Sequence, residues 1–118
     1  MTHNRFDPDR LPAAIRHYLE TPRGTRLPAE TLASIFTPDA RVVDERTEFS
    51  GLDAIAGWFL DAGSEYSYTT TYLDQTVTAS DHWTVTAQLE GDFPGGQADL
   101  RYRFRIEDHR IAELVIAP

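Results

Sequence analysis

The second half of the chain reads as strand almost without a break, and that one feature narrows the folds open to it. Glu65 to Leu73 is rich in Tyr and Thr, and Gln75 to Glu90 sets Trp83, Val85, Ala87 and Leu89 in alternation. Leu100, Tyr102, Phe104 and Ile106 then alternate with Arg101, Arg103 and Arg105, and a last strand runs from Arg110 to Ala117. A period of two puts apolar and polar side chains on opposite faces of a pleated strand. Pro94-Gly95-Gly96 and Asp108-His109 are turns too short for a crossover, so these strands must meander antiparallel. Such a sheet has an apolar face that something must cover.

The cover comes from the first half. Leu11, Ala14, Ile15, Tyr18 and Leu19 recur at helical spacing from Asp9, and Thr21-Pro22-Arg23-Gly24 stops the helix. A second helix starts near Pro28, sets Leu32, Ile35 and Phe36 on one face, and ends at Thr37-Pro38-Asp39. Ala40 to Asp44 (ARVVD) is a short strand. Ser50-Gly51 opens a third helix that carries Ile55, Trp58, Phe59 and Leu60 and closes at Gly63. Residues 1–8 read as a loose lead-in. Neither a repeat nor a linker divides the 118 residues, so a single domain over 1–118 is expected. The class is α+β, three N-terminal helices over a mostly antiparallel sheet.

Composition removes several kinds of chemistry. Nineteen acids face eleven basic residues for a net charge of −8, with the cations scattered, which argues against nucleic acid as a partner. No apolar run approaches the roughly 18 residues that a membrane helix needs. The polar start MTHNRFDPDR lacks a secretory core, so a cytoplasmic location is expected. With zero cysteines there is no thiolate nucleophile or Cys-based metal site, and all basic residues being Arg leaves no lysine for a Schiff base. His3, His17, His82 and His109 are too scattered for a metal site, so neither metal nor cofactor is expected.

The segments LASIFTPDARVVDE, FSGLDAIAGWF and DLRYRFRIEDHRIAELVI resemble the nuclear transport factor 2-like superfamily, in its SnoaL-like and ketosteroid isomerase-like branches. Phe36, Asp39, Ala40, Gly51, Ala54, Ile55, Arg110 and Ile111 stand where the family's short motifs fall, over roughly residues 10–117. The resemblance implies a cone, a strongly bent sheet closed by the helices around a hydrophobic pocket. It also implies a homodimer through the outer sheet face. The family hosts isomerases, polyketide cyclases, dehydratases and members without chemistry, so fold alone does not choose among them.

Asp44 is the sharpest catalytic candidate. It shares a strand face with Val42, and a carboxylate held in an apolar cavity becomes a usable base near neutral pH. By resemblance it matches the proton-shuttling Asp of ketosteroid isomerases, a chemistry well understood in general terms. Tyr18, on the apolar face of the first helix, resembles the oxyanion-holding Tyr of those enzymes. Where they place a protonated Asp, this chain has Tyr102, whose neutral phenol can donate instead. Asp99 lies on the opposite strand face. Arg101, Arg103 and Arg105 share that outer face, so parity excludes them from an epoxide hydrolase-type site. Ile15, Val42, Trp58, Phe59, Tyr68, Trp83 and Phe104 are expected to line the pocket, with Tyr66, Tyr72 and Phe93 adding ring area. These residues suit acid–base chemistry on a hydrophobic carbonyl compound, or binding of such a molecule without turnover.

Overall fold

The computed structural model describes residues 2–61 and 68–118. The expected helix stop at Gly63, the strand start at Glu65 and the aromatic Tyr66 lie outside the described residues. In chain order the elements are β1 (Thr2–Arg5), a 3₁₀ turn (Pro8–Arg10), α1 (Ala13–Glu20), α2 (Ala29–Ile35), β2 (Phe36–Asp44), β3 (Thr47–Ser50), α3 (Leu52–Asp61), β4 (Tyr68–Ala79), β5 (His82–Gly91), β6 (Gln97–Glu107) and β7 (Arg110–Ala117). All the strands join one curved, unclosed sheet in the order β1-β4-β5-β6-β7-β2-β3. Among the described residues only the β2–β7 pair is parallel.

The four long strands follow the alternation that the sequence displays. On β6, Tyr102 and Phe104 are buried while Arg101 and Arg103 are exposed, and Asp99 shares the exposed face. Several boundaries differ from expectation: the first helix begins at Ala13 rather than Asp9, after a separate 3₁₀ turn, and Thr47–Ser50 adds an unexpected strand. The lead-in is not loose, because Thr2–Arg5 pairs with β4, and the buried amide oxygen of Gln75 accepts the Asp7 N–H at 2.8 Å. A polar strand end gives no periodic signal, so this pairing is invisible without its partner. β4 also continues through Asp74 to Ala79, and the hairpin turn falls at Ser80-Asp81. The register shifts between Tyr72 and Asp74, so the strand bulges there and leaves Leu73 46% exposed. Finally, β2 begins at Phe36 rather than at Ala40. Its register against β7 slips between Phe36 and Arg41, and the slipped stretch holds Pro38, which has no N–H to give a ladder.

The helices cover one face. Leu11, Ile15, Tyr18, Leu32, Ile35, Ile55 and Phe59 pack on Val42, Val85, Phe104, Ile111 and Leu114 in a continuous core. Gly51 reaches φ +86° before α3, and its N–H bonds the Ala40 carbonyl at 2.9 Å. That contact fixes where α3 leaves β2 and so where Trp58 lies relative to Asp44.

Two of the tight hairpins use left-handed pairs, Glu45-Arg46 (φ 51° and 69°) and Asp108-His109 (φ 53° and 62°). Two consecutive positive φ values define the turn that suits the strand twist, and Asn-Gly fills it with least strain. Replacing Glu45-Arg46 by Asn-Gly is therefore expected to raise stability by about 1 kcal/mol, read as a higher urea midpoint at unchanged slope.

Candidate ligand site

Tyr18 is the centre of the site. α1 turns it inward at 1% exposure, and its ring meets Phe36, Phe59 and Phe104 edge-on with centroids 6.1, 6.1 and 5.8 Å away. Trp58 stacks on it in offset fashion, centroids 6.3 Å apart and planes 11° from parallel. The hydroxyl is buried and bonds to nothing among the described residues. Burial drives its pKa well above the ordinary tyrosine value, against the opposing pull of the Arg23 charge. The phenol is thus neutral, with no acceptor for its hydroxyl among the described residues.

Arg23 is the residue that sequence reasoning missed. Standing between Pro22 and Gly24 in a helix-ending turn, it carried no signal beyond that of a solvated cation. The structure folds it inward instead. Its guanidinium carbon lies 4.8 Å from the Tyr18 ring centroid, 5.4 Å from Trp58, 5.7 Å from Tyr102 and 6.0 Å from Phe59. Each cation–ring contact is worth about 0.5–2 kcal/mol, depending on desolvation. The turn is fixed by the Gly24 N–H on the Phe59 carbonyl at 3.0 Å and by the Thr25 hydroxyl on the Pro22 carbonyl at 2.6 Å. No carboxylate among the described residues forms an ion pair with it. Burial lowers its pKa, whereas the negative charge that Tyr18, Tyr102, Tyr68 and Tyr72 carry once ionised raises it, and the net shift is upward; at neutral pH those phenols are uncharged and offset none of the burial.

Tyr102 reaches the same place from β6, 3% exposed, with its pKa raised by burial against the pull of Arg23. Tyr72, from β4, meets the Tyr102 ring edge-on at 6.3 Å and donates its hydroxyl to the Leu19 carbonyl at 3.2 Å. Burial pushes its pKa up to about 12. Tyr68 is half-buried two turns of the pleat earlier on the same strand.

These shifts set the alkaline limit of the fold. In the folded chain Tyr18, Tyr72 and Tyr102 keep their protons above the usual tyrosine pKa of about 10, whereas the unfolded chain releases them there. The unfolded state then binds fewer protons, so stability is whole below pH of about 10 and falls as pH rises through about 12. A urea midpoint that drops over this window, together with delayed tyrosinate absorbance in the folded protein, is the expected result.

Asp44 ends β2 partly buried, and its Oδ2 accepts the Trp58 indole N–H at 3.0 Å. It lines a cleft of about 440 Å³ with Phe49, Asp53, Ala54, Gly57, Trp58 and Asp61. Its charge raises the pKa of both Tyr18 and Tyr102, so its field reaches them, but the Trp58 indole links the carboxylate to the Tyr18 ring. Of the residues expected around a pocket, Ile15, Val42, Phe59 and Phe104 are fully buried around Tyr18, and Trp58 is nearly so. Trp83 pairs opposite Phe104 and packs on the core edge. His17, His82 and His109 are exposed, and no three metal-ligating side chains cluster among the described residues.

A curved, unclosed sheet covered by three helices, with phenols and a guanidinium gathered against the core, defines an α+β cone of the nuclear transport factor 2-like kind. The sequence profile of the SnoaL-like domain matches residues 15–114, and the chain belongs to that family. It is similar to a protein from Sinorhizobium meliloti described as a candidate polyketide cyclase, with 35% identity over 95% of this chain and 100% of that one, and a TM-score of 0.80. A hypothetical protein with a ketosteroid isomerase-like fold from Catenulispora acidiphila, solved in complex with trimethylamine, matches at 19% identity, 91% and 85% coverage and a TM-score of 0.72. A candidate SnoaL-like polyketide cyclase from Jannaschia matches at 17% identity, 75% and 70% coverage and a TM-score of 0.61. The latter two speak to fold alone. No protein of curated function matches the sequence.

Proposed function

We propose that the chain is a cofactor-independent enzyme of SnoaL-like type, acting by acid–base chemistry on a hydrophobic carbonyl compound. The observation that carries this reading is the buried, unpartnered Tyr18 hydroxyl. An unmade hydrogen bond in a dry core costs about 1–3 kcal/mol, and a substrate oxygen recovers it. The likeness to a candidate polyketide cyclase at 35% identity supports a polyketide-like substrate.

In this mechanism a free Asp44 oxygen removes a proton from the carbon beside the carbonyl. The C–H electron pair moves into the carbonyl, and the resulting enolate oxygen accepts hydrogen bonds from Tyr18 and Tyr102. The enolate then takes the proton back at a different carbon, attacks a second carbonyl, or expels a β-hydroxyl as water. Isomerisation, cyclisation and dehydration share this first step, so the first step is the one to test. A planar bicyclic ketone, 2-tetralone, dissolved in deuterated buffer should lose its α-proton signal faster with the protein than with buffer alone.

A second reading, ligand binding without turnover, draws on Trp58. Its indole holds the Asp44 carboxylate at 3.0 Å and stacks on Tyr18, which keeps base and donor apart. Bound 2-tetralone that exchanges no faster than in buffer would favour this reading and sink the first.

A further inference from the structure

The acid–base reading needs only a neutral carbonyl, yet the site contains a permanent positive charge that this chemistry leaves unused. Arg23 lies 4.8 Å from the Tyr18 ring and 5.7 Å from the Tyr102 ring, held inward by the Gly24–Phe59 backbone bond. Some of the other arginines pair with acids among the described residues. Arg41 bridges Glu48 and Glu113, Arg105 faces Glu107, and Arg110 faces Asp108. Arg23 has no such partner among the described residues, although the chain carries nineteen acids. Taking a guanidinium partly out of water without a counter-charge is costly, and ring faces recover only part of the loss. The residue remains partly exposed, so one side of it stays open to a ligand.

A transient enolate does not answer this cost, because it exists only during turnover. A group that is already anionic in the bound ground state does. Guanidinium pairs with carboxylate through two parallel hydrogen bonds, and the Tyr18 ring that it covers carries a buried hydroxyl with no partner among the described residues, a further donor for such an anion. The surrounding rings of Trp58, Phe59 and Tyr102 favour a flat body behind that group. With a net charge of −8 the molecule as a whole repels anions, so any preference for one must come from this local cation.

We propose that Arg23, with the Tyr18 and Tyr102 hydroxyls, binds a carboxylate carried by a planar aromatic ligand. This deepens the proposed function and rests on the same interior site.

The test compares 2-naphthoate with its neutral counterpart 2-naphthamide by calorimetric titration, on the natural chain and on Arg23→Met and Arg23→Lys. The natural chain should bind the acid about tenfold or more tightly than the amide. Arg23→Met should erase that ratio by weakening the acid far more than the amide, and Arg23→Lys should keep part of it. If Arg23 served packing alone, the Met variant would weaken both probes alike, and that outcome overturns the proposal. So does a ratio near one in the natural chain, a result that needs no variant to fold and leaves the ketone chemistry standing. If neither probe binds the natural chain, the inference falls together with the interior site, whereas exchange of 2-tetralone reports on the site separately.

Discussion

Asp44→Asn is expected to lower the rate of α-proton exchange on 2-tetralone by about 10²–10⁴-fold, the usual worth of a positioned general base. The substitution removes the basic electron pair and little else. An Asn side chain has the same shape, and its amide oxygen can still accept the Trp58 indole N–H that Asp44 accepts at 3.0 Å. The melting temperature and Trp emission should therefore stay close to those of the natural chain. That combination separates a catalytic carboxylate from a structural one. A structural role would show as lost stability with rate and binding falling together, and an unchanged rate in a folded variant removes Asp44 from the mechanism. Alternation along β2 put Asp44 on the Val42 face, and Val42 is fully buried there. Parity says nothing about depth, however, and depth is what decides whether the carboxylate meets a substrate carbon or solvent.

The same division between direction and depth runs through the chain. Strand alternation made the faces of β6 legible, down to the outward arginines, because a period of two is a property of the backbone itself. Helical spacing likewise placed Ile15, Tyr18, Ile55 and Phe59 in the core. What failed were features that depend on a distant partner. The pairing of Thr2–Arg5 with β4 sets four polar residues against Val77, Thr76, Gln75 and Asp74 and so leaves no alternating pattern in β1. The bulge at Leu73 arises from register against β5 and not from composition. Arg23 is the most consequential case. A lone Arg in a Pro-Gly turn belongs to the surface by every local rule, and the long-range backbone bond from Gly24 to Phe59 in α3 is what ties its turn to the rings. A hint was present in the number of Tyr and Trp rings in so short a chain, since an aromatic-rich core can accommodate a cation that an aliphatic one cannot.

Tyr18→Phe should make the protein more stable and less active at once. The hydroxyl is buried without a partner among the described residues, so folding strips its water and these residues return no hydrogen bond. Deleting one oxygen removes that penalty, about 1–3 kcal/mol, and leaves the ring contacts to Phe36, Trp58, Phe59 and Phe104 in place. For a domain of this size each kcal/mol corresponds to roughly 4 °C in melting temperature, so the rise is measurable by calorimetry. Loss of a preorganised donor to the enolate should meanwhile cost about 10²–10³ in exchange rate. An ordinary core tyrosine gives neither result: its hydroxyl is bonded within the fold, and Phe in its place lowers stability without touching a reaction. Stability gained and turnover lost through the same atom would mark Tyr18 as a donor kept vacant for a ligand, because a fold selected for stability alone has no reason to keep that oxygen. A lower melting temperature with an unaltered exchange rate would remove Tyr18 from the oxyanion site and leave Tyr102 to hold it.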